Sequence, residues 1–212
     1  GQWRRSSREL LVATVLLMWD GPPTETLLDT YGDTLYEPEQ FDALFTALIN
    51  DERSARGLLG FFEEYLQLDR LATLDKSRDK FPLMSAELIQ AMHTEALAMI
   101  GEVILDPERD VRSLLTTKDT YLNWELAQLY GAPSPDGFSN YRFPDTSPRK
   151  GFLTTGAFLA LNAHFSVTSP TYRGKYVQNR FFCFDIPPPP EGIDTTLEMD
   201  PEGVATTMRE KM

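Results

Sequence analysis

The sequence predicts an all-α fold: a helical bundle followed by a smaller helical unit with long proline-rich loops. Three observations carry that expectation. Apolar residues recur at helical spacing through the first half of the chain. Ser, Thr, Asp and Pro stand where helix starts need them. Neither an internal repeat nor a βαβ rhythm is present.

Arg4 and Arg5 precede the run Leu10-Leu11-Val12-Ala13-Thr14-Val15-Leu16-Leu17-Met18-Trp19, which superficially looks like a signal peptide. Glu9 interrupts its flank, no small-x-small cleavage site follows, and the run is about half the ~20 residues of a membrane span. A buried first helix is the better reading. Pro22-Pro23 breaks it, and Thr24 caps a short helix through Leu27 and Leu28.

Pro38 suits the first turn of a third helix. Behind it Phe41, Leu44, Phe45, Leu48 and Ile49 fall on one apolar stripe. Asp51 caps the next helix, which carries Leu58, Leu59, Phe62, Tyr65 and Leu66. The charged stretch from Asp69 to Lys80 reads as a loop. A long helix is expected from about Ser85 to Leu105, with Leu88, Met92, Ala96, Met99 and Val103 on its buried side, and Asp106-Pro107 ends it. Two short helices follow, the second from Tyr121 to Tyr130, capped by Thr120 and stopped at Gly131.

Residues 1–131 thus read as one helical bundle domain. Residues 132–148 form a Pro/Ser-rich connection containing Pro133, Pro135, Pro144 and Pro148. Residues 149–190 read as a small helical domain. An apolar helix starts near Thr155 and holds Phe158, Leu159 and Leu161; Ser169-Pro170 opens another that holds Tyr172, Arg173, Tyr176, Val177, Arg180 and Phe181. Pro187 to Pro190 is a stiff polyproline stretch, and 191–212 is a polar tail.

The 212 residues carry 42% hydrophobic and 25% charged side chains, enough for a real core. A net charge of -12 argues against nucleic acid and anionic membranes as main partners. The single cysteine, Cys183, excludes an intrachain disulfide. Between Phe181-Phe182 and Phe184 it reads as a buried, inert thiol. No CxxC or CxxCH occurs, and no P-loop, GxGxxG, GxSxG, HExxH or EF-hand spacing either. Neither covalently bound haem nor a metal site is therefore expected in this chain.

Candidate functional residues gather in the second unit: Arg149, Asn162, His164, Thr168, Ser169 and Arg173. His164 reads as a helix-end histidine touching the last carbonyls, or as a haem-facing group. His93, on the long helix, reads as a surface or hydrogen-bonded residue. Arg173 either braces its loop or marks an anion site at the start of a helix. Carboxylate pairs such as Glu63/Glu64 and Glu95/Glu102 are too common in helical chains to assign chemistry.

Several blocks carry a family resemblance. They are Leu17-Met18-Trp19-Asp20-Gly21-Pro22-Pro23, Phe81-Pro82, the long helix with Glu95, and Asn123-x-x-Leu126-Ala127-x-x-Tyr130-Gly131. Arg149-x-Gly151-x-Leu153-Thr154, Thr168-Ser169-Pro170-x-x-Arg173-Gly174 and Pro187 to Pro190 follow in order. Together they resemble paired domains of unknown function from large exported, c-type cytochrome-like proteins of planctomycetes and myxobacteria. The likeness covers nearly the whole chain. Members of that family continue into a CxxCH segment near where this chain ends at Met212. The resemblance thus implies a fragment of a cytochrome-like protein, exported to the periplasm or cell surface. Haem c would sit on an adjoining segment or a partner. It transfers no catalytic residues.

The leading expectation is a non-catalytic helical scaffold that docks or shields a haem segment in electron transfer. Its partners are an adjoining cytochrome c-like segment or other protein subunits. A competing one is an extracellular enzyme, acting on a polysaccharide or another extracellular substrate, with a loop-built site around His164 and Arg173. That reading requires His164, Arg173 and an acidic side chain to converge on one pocket. A third is a pure assembly domain, which would expose apolar surface.

Overall fold

The computed structural model describes residues 4–187. The expectations for the polyproline stretch from Pro188 on and for the tail lie outside those residues. The chain is largely helical but not purely so, because the described residues also hold a small two-stranded sheet. Two compact units share it. One holds the described residues up to Tyr65 together with Ile100–Val111; the other holds Leu66–Met99 and the described residues from Arg112 onward.

The first unit is built from α1 (Ser7–Trp19), α2 (Glu25–Tyr31), α3 (Pro38–Ile49) and α4 (Arg53–Tyr65). Ser6 and Glu9 form a reciprocal capping box at the start of α1. The glutamate that interrupts the signal-like flank is therefore a helix-start residue. Thr24 caps α2 and Pro38 occupies the first turn of α3, both as expected. Leu11, Val15, Met18, Trp19, Leu35, Leu44 and Leu48 form the core. The Trp19 indole donates to the Leu48 carbonyl at 3.1 Å, and the Arg53 guanidinium covers its ring at 3.6 Å. The expected α3 stripe is too wide: Phe45 and Ile49 are exposed, because only the face through Leu44 and Leu48 is covered.

In the second unit the charged stretch after Asp69 is not a plain loop. A 3-10 turn at Leu68–Thr73 buries Leu68 and Leu71. Lys76 is also buried, its ammonium donating to the carbonyls of Ala163 and His164. Helix α5 (Ala86–Ile104), which belongs to this unit up to Met99 and to the first unit from Ile100, buries Leu88, Met92, Ala96, Met99 and Val103, as the spacing predicts.

Residues 119–130 do not form the single helix expected after Thr120. Asp119–Leu122 is a strand, β1, and not the start of a helix. It pairs antiparallel with β2 (Ser139–Arg142), in register Asp119 opposite Arg142. Thr120 therefore caps nothing. Asn123 caps α6 (Trp124–Tyr130), accepting from the Leu126 amide, and Gly131 ends it in the left-handed conformation. The connection 132–148 is correspondingly not irregular throughout, since β2 lies inside it. Two short segments hide here because β-pairing of four residues leaves little period to read.

Thr155 caps α7 (Gly156–Leu161), and Ser169 with Pro170 opens α8 (Pro170–Phe181), as expected. The Tyr176 hydroxyl ties α8 to the Leu66 carbonyl at 2.8 Å. Cys183 corrects another expectation. It is exposed, at φ 51, because the chain turns off the end of α8 and carries Phe182 and Phe184 outward with it.

Candidate functional site

Helix α5 brings one carboxylate into the interior. Glu95 shares the apolar face with Leu88, Met92 and Met99, and is 1% exposed. A lone buried carboxylate is costly unless hydrogen-bonded. β1 supplies the Thr120 hydroxyl, donating to Oε1 at 2.6 Å, and the last turn of α6 supplies the Tyr130 hydroxyl, donating to Oε2 at 2.6 Å. The Tyr130 oxygen accepts in turn from the Gly156 amide at 2.7 Å. Three elements are thus joined through one carboxylate.

Arg149 completes the arrangement. Its guanidinium lies 4.4 Å from the centroid of the Tyr130 ring and donates to the Thr154 carbonyl at 2.9 Å. Burial pushes the Glu95 carboxyl up to about 7, against the pull of both hydroxyls and of the Arg149 charge. Burial and the neighbouring carboxylate push the Tyr130 phenol well above its ordinary range. The free space beside Glu95 is only ≈ 10 Å³. That is about the lower limit for a single water.

On its other side Tyr130 faces a cavity of ≈ 200 Å³. Met92 from α5, Leu129 from α6, and Gly156, Leu159 and Ala160 from α7 form its apolar wall, with Phe81 and Met84 from the preceding loop. Gly156 makes a close approach there: a Cβ would stand 2.8 Å from the Met92 sulfur, so that side chain would have to shift. Lys76, Arg149 and Arg173 add three cations, and neither a carboxylate nor a histidine lines it among the described residues. A larger, shallow groove of ≈ 530 Å³ runs past Glu87, Asn123, Glu125 and Phe138. It contains none of the six residues singled out from sequence.

Of those six, the cavity brings together Arg149, Thr168 and Arg173. Asn162 is buried at the end of α7, its amide donating to the Phe158 carbonyl at 3.0 Å. Ser169 is the cap of α8. His164 is exposed and packs its ring 4.5 Å from that of Tyr172. It does not cap α7, which ends at Leu161. Its carbonyl, not its ring, is used, accepting from Lys76. Glu95, Thr120, Tyr130 and Lys76 were not legible as site residues. The available signal was a carboxylate set within the apolar stripe of α5.

The chain matches two family models in tandem. Residues 8–132 match PSD4, a protein of unknown function (DUF1592). Residues 149–212 match PSCyt3, a protein of unknown function (DUF1588). This is the paired arrangement that the sequence blocks led us to expect. Nothing matches among the curated proteins or among the solved structures.

Proposed function

The chain belongs to the PSD4 family of unknown function (DUF1592), and from that premise we propose that it is a non-catalytic helical scaffold of an exported, cytochrome c-associated protein. In this reading it docks or shields a haem segment that an adjoining part of the protein or a partner carries. The observation that carries the proposal is the enclosure of Glu95. Both its oxygens are taken by hydroxyls, and ≈ 10 Å³ of free space gives no substrate access to it. The carboxylate holds elements together and does no chemistry.

The name PSCyt3 of the second match supports the cytochrome context. Export rests on the resemblance of the sequence blocks. Among the described residues no helix is long and apolar enough to cross a membrane, and no three His, Cys, Asp or Glu side chains gather as a metal site. The chain's own residues do not fit a covalently held haem: it has one cysteine, two histidines and no CxxCH. In this reading the haem segment belongs to an adjoining part of the protein or to a partner. The test is the absorption spectrum of the intact, natively purified protein, oxidised and reduced, with its mass. A Soret band is expected, with a covalent haem mass on the protein itself or on a partner that purifies with it; a colourless native preparation overturns the reading.

The enzyme alternative loses its support, because among the described residues His164, Arg173 and an acidic side chain do not line one cavity. The assembly alternative has a specific observation in its favour. The first unit exposes Leu16, Leu17, Phe45, Ile49 and Phe61. Light scattering of the chain decides it: a dimer that Leu17→Glu converts to monomer supports assembly through this unit, and a monomer at every concentration sinks it.

A further inference from the structure

We propose that the cavity beside Tyr130 binds a small amphipathic carboxylate: an anionic head on a short apolar tail. Size sets the first limit. An apolar cavity of about 150 Å³ accommodates benzene, so ≈ 200 Å³ holds a ligand of about eight non-hydrogen atoms. Pockets for drug-sized ligands begin at about 300 Å³.

Chemistry sets the second limit. The wall is Met84, Met92, Leu129, Leu159 and Ala160, which favours a hydrocarbon tail. The polar groups are cations. Among the described residues the Arg173 side chain has neither a carboxylate partner nor a hydrogen bond, although it lines the cavity. Two carbonyls occupy two of the three donors of the buried Lys76, which leaves one over. Even with Glu95 ionised behind Tyr130, three cations stand against one carboxylate among the described residues. In a chain of net charge -12 this is a local reversal of sign.

Each half of the ligand excludes a simpler guest. A neutral hydrocarbon would leave the Arg173 guanidinium without a partner. A bare inorganic anion would leave the apolar wall uncovered. A carboxylate with a tail of about five carbons satisfies both, since the guanidinium fork matches a carboxylate in two hydrogen bonds.

The test is isothermal titration of the 212-residue chain with hexanoate, hexan-1-ol and hexylammonium at matched ionic strength. Saturable one-to-one binding of hexanoate is expected, with the alcohol about tenfold weaker or more and the ammonium inert. Arg173→Gln, checked by circular dichroism for an unchanged fold, is expected to weaken hexanoate by about tenfold and leave the alcohol unaffected. Ala160→Phe, which fills the cavity, is expected to abolish both. Absence of saturable hexanoate binding up to about 10 mM, alcohol binding as tight as the carboxylate, or an Arg173→Gln variant with unchanged affinity each overturns the proposal.

Discussion

Tyr130 donates its hydroxyl proton to Glu95 across 2.6 Å while its oxygen accepts the Gly156 amide at 2.7 Å. One phenol thus links α6 to α5 and to the start of α7. Tyr130→Phe keeps the ring and its contact with Arg149 but removes both hydrogen bonds. It also leaves the Gly156 amide without a partner. A loss of about 2–3 kcal/mol is expected, the range for a hydrogen bond to a charged acceptor with a buried donor orphaned. Urea unfolding measures it. A double-mutant cycle with Glu95→Gln should return a coupling of about 0.5–3 kcal/mol; additive losses would mean that the two side chains do not act together.

The Glu95 carboxyl sits at about 7, against an ordinary value of 4.5. Between those two values the native chain holds a proton that the unfolded chain has released. The contribution of this group to stability is therefore complete below about 4.5 and is lost as pH rises through about 7. The slope in that window reaches about 1.4 kcal/mol per pH unit. Other carboxylates titrate in the same range, so the measurement is the difference between wild type and Glu95→Gln. That difference should move in favour of wild type on acidification from pH 7 to pH 5 and stay level above pH 8. A flat difference across the window would show that Glu95 titrates as an ordinary glutamate.

Much of the helical framework is legible in the sequence, because caps and periodicity are local. Thr24, Pro38, Thr155 and Ser169 with Pro170 each stand at the helix start they predict. The long α5 buries the five residues that its spacing marks. What fails is what depends on partners far along the chain. Thr120 reads as a helix cap, yet β2 recruits it into a strand from about twenty residues away. Lys76 reads as part of a solvated charged loop, yet two carbonyls almost ninety residues on draw it inside. The candidate site is legible only in halves. Arg149, Thr168 and Arg173 stand out by residue type, whereas Glu95 and Tyr130 acquire their meaning from burial.

Cys183 shows the same limit in a testable form. Its phenylalanine neighbours suggest a buried thiol, but the left-handed backbone at the end of α8 leaves it exposed. A native-state thiol titration with a disulfide reagent should modify one cysteine per chain at the rate of an exposed thiol, without denaturant. Labelling that begins only in urea would place the thiol inside the fold.

Two glycines in helices of the second unit should respond to alanine in opposite directions. Gly174 lies inside α8, and no atom of the described residues comes within 4 Å of an added Cβ. Alanine there lowers the entropy of the unfolded chain without a clash, so Gly174→Ala is expected to stabilise by about 0.5–1 kcal/mol. A Cβ added at Gly156, in the first turn of α7, would stand 2.8 Å from the Met92 sulfur and 2.9 Å from a Leu129 methyl. Both neighbours also line the cavity. They can yield only by moving into it or by pushing α7 away, which would lengthen the bond from the Gly156 amide to Tyr130. Gly156→Ala is therefore expected to cost about 1–3 kcal/mol, as overpacking does. Because that bond leads to Glu95, the substitution should also shift the pH window of stability, whereas Gly174→Ala should leave it in place. Thermal unfolding of both variants between pH 5 and pH 8 separates the two effects. A Gly156→Ala variant as stable as wild type, with the same pH dependence, would show that α7 does not need its close approach to Met92.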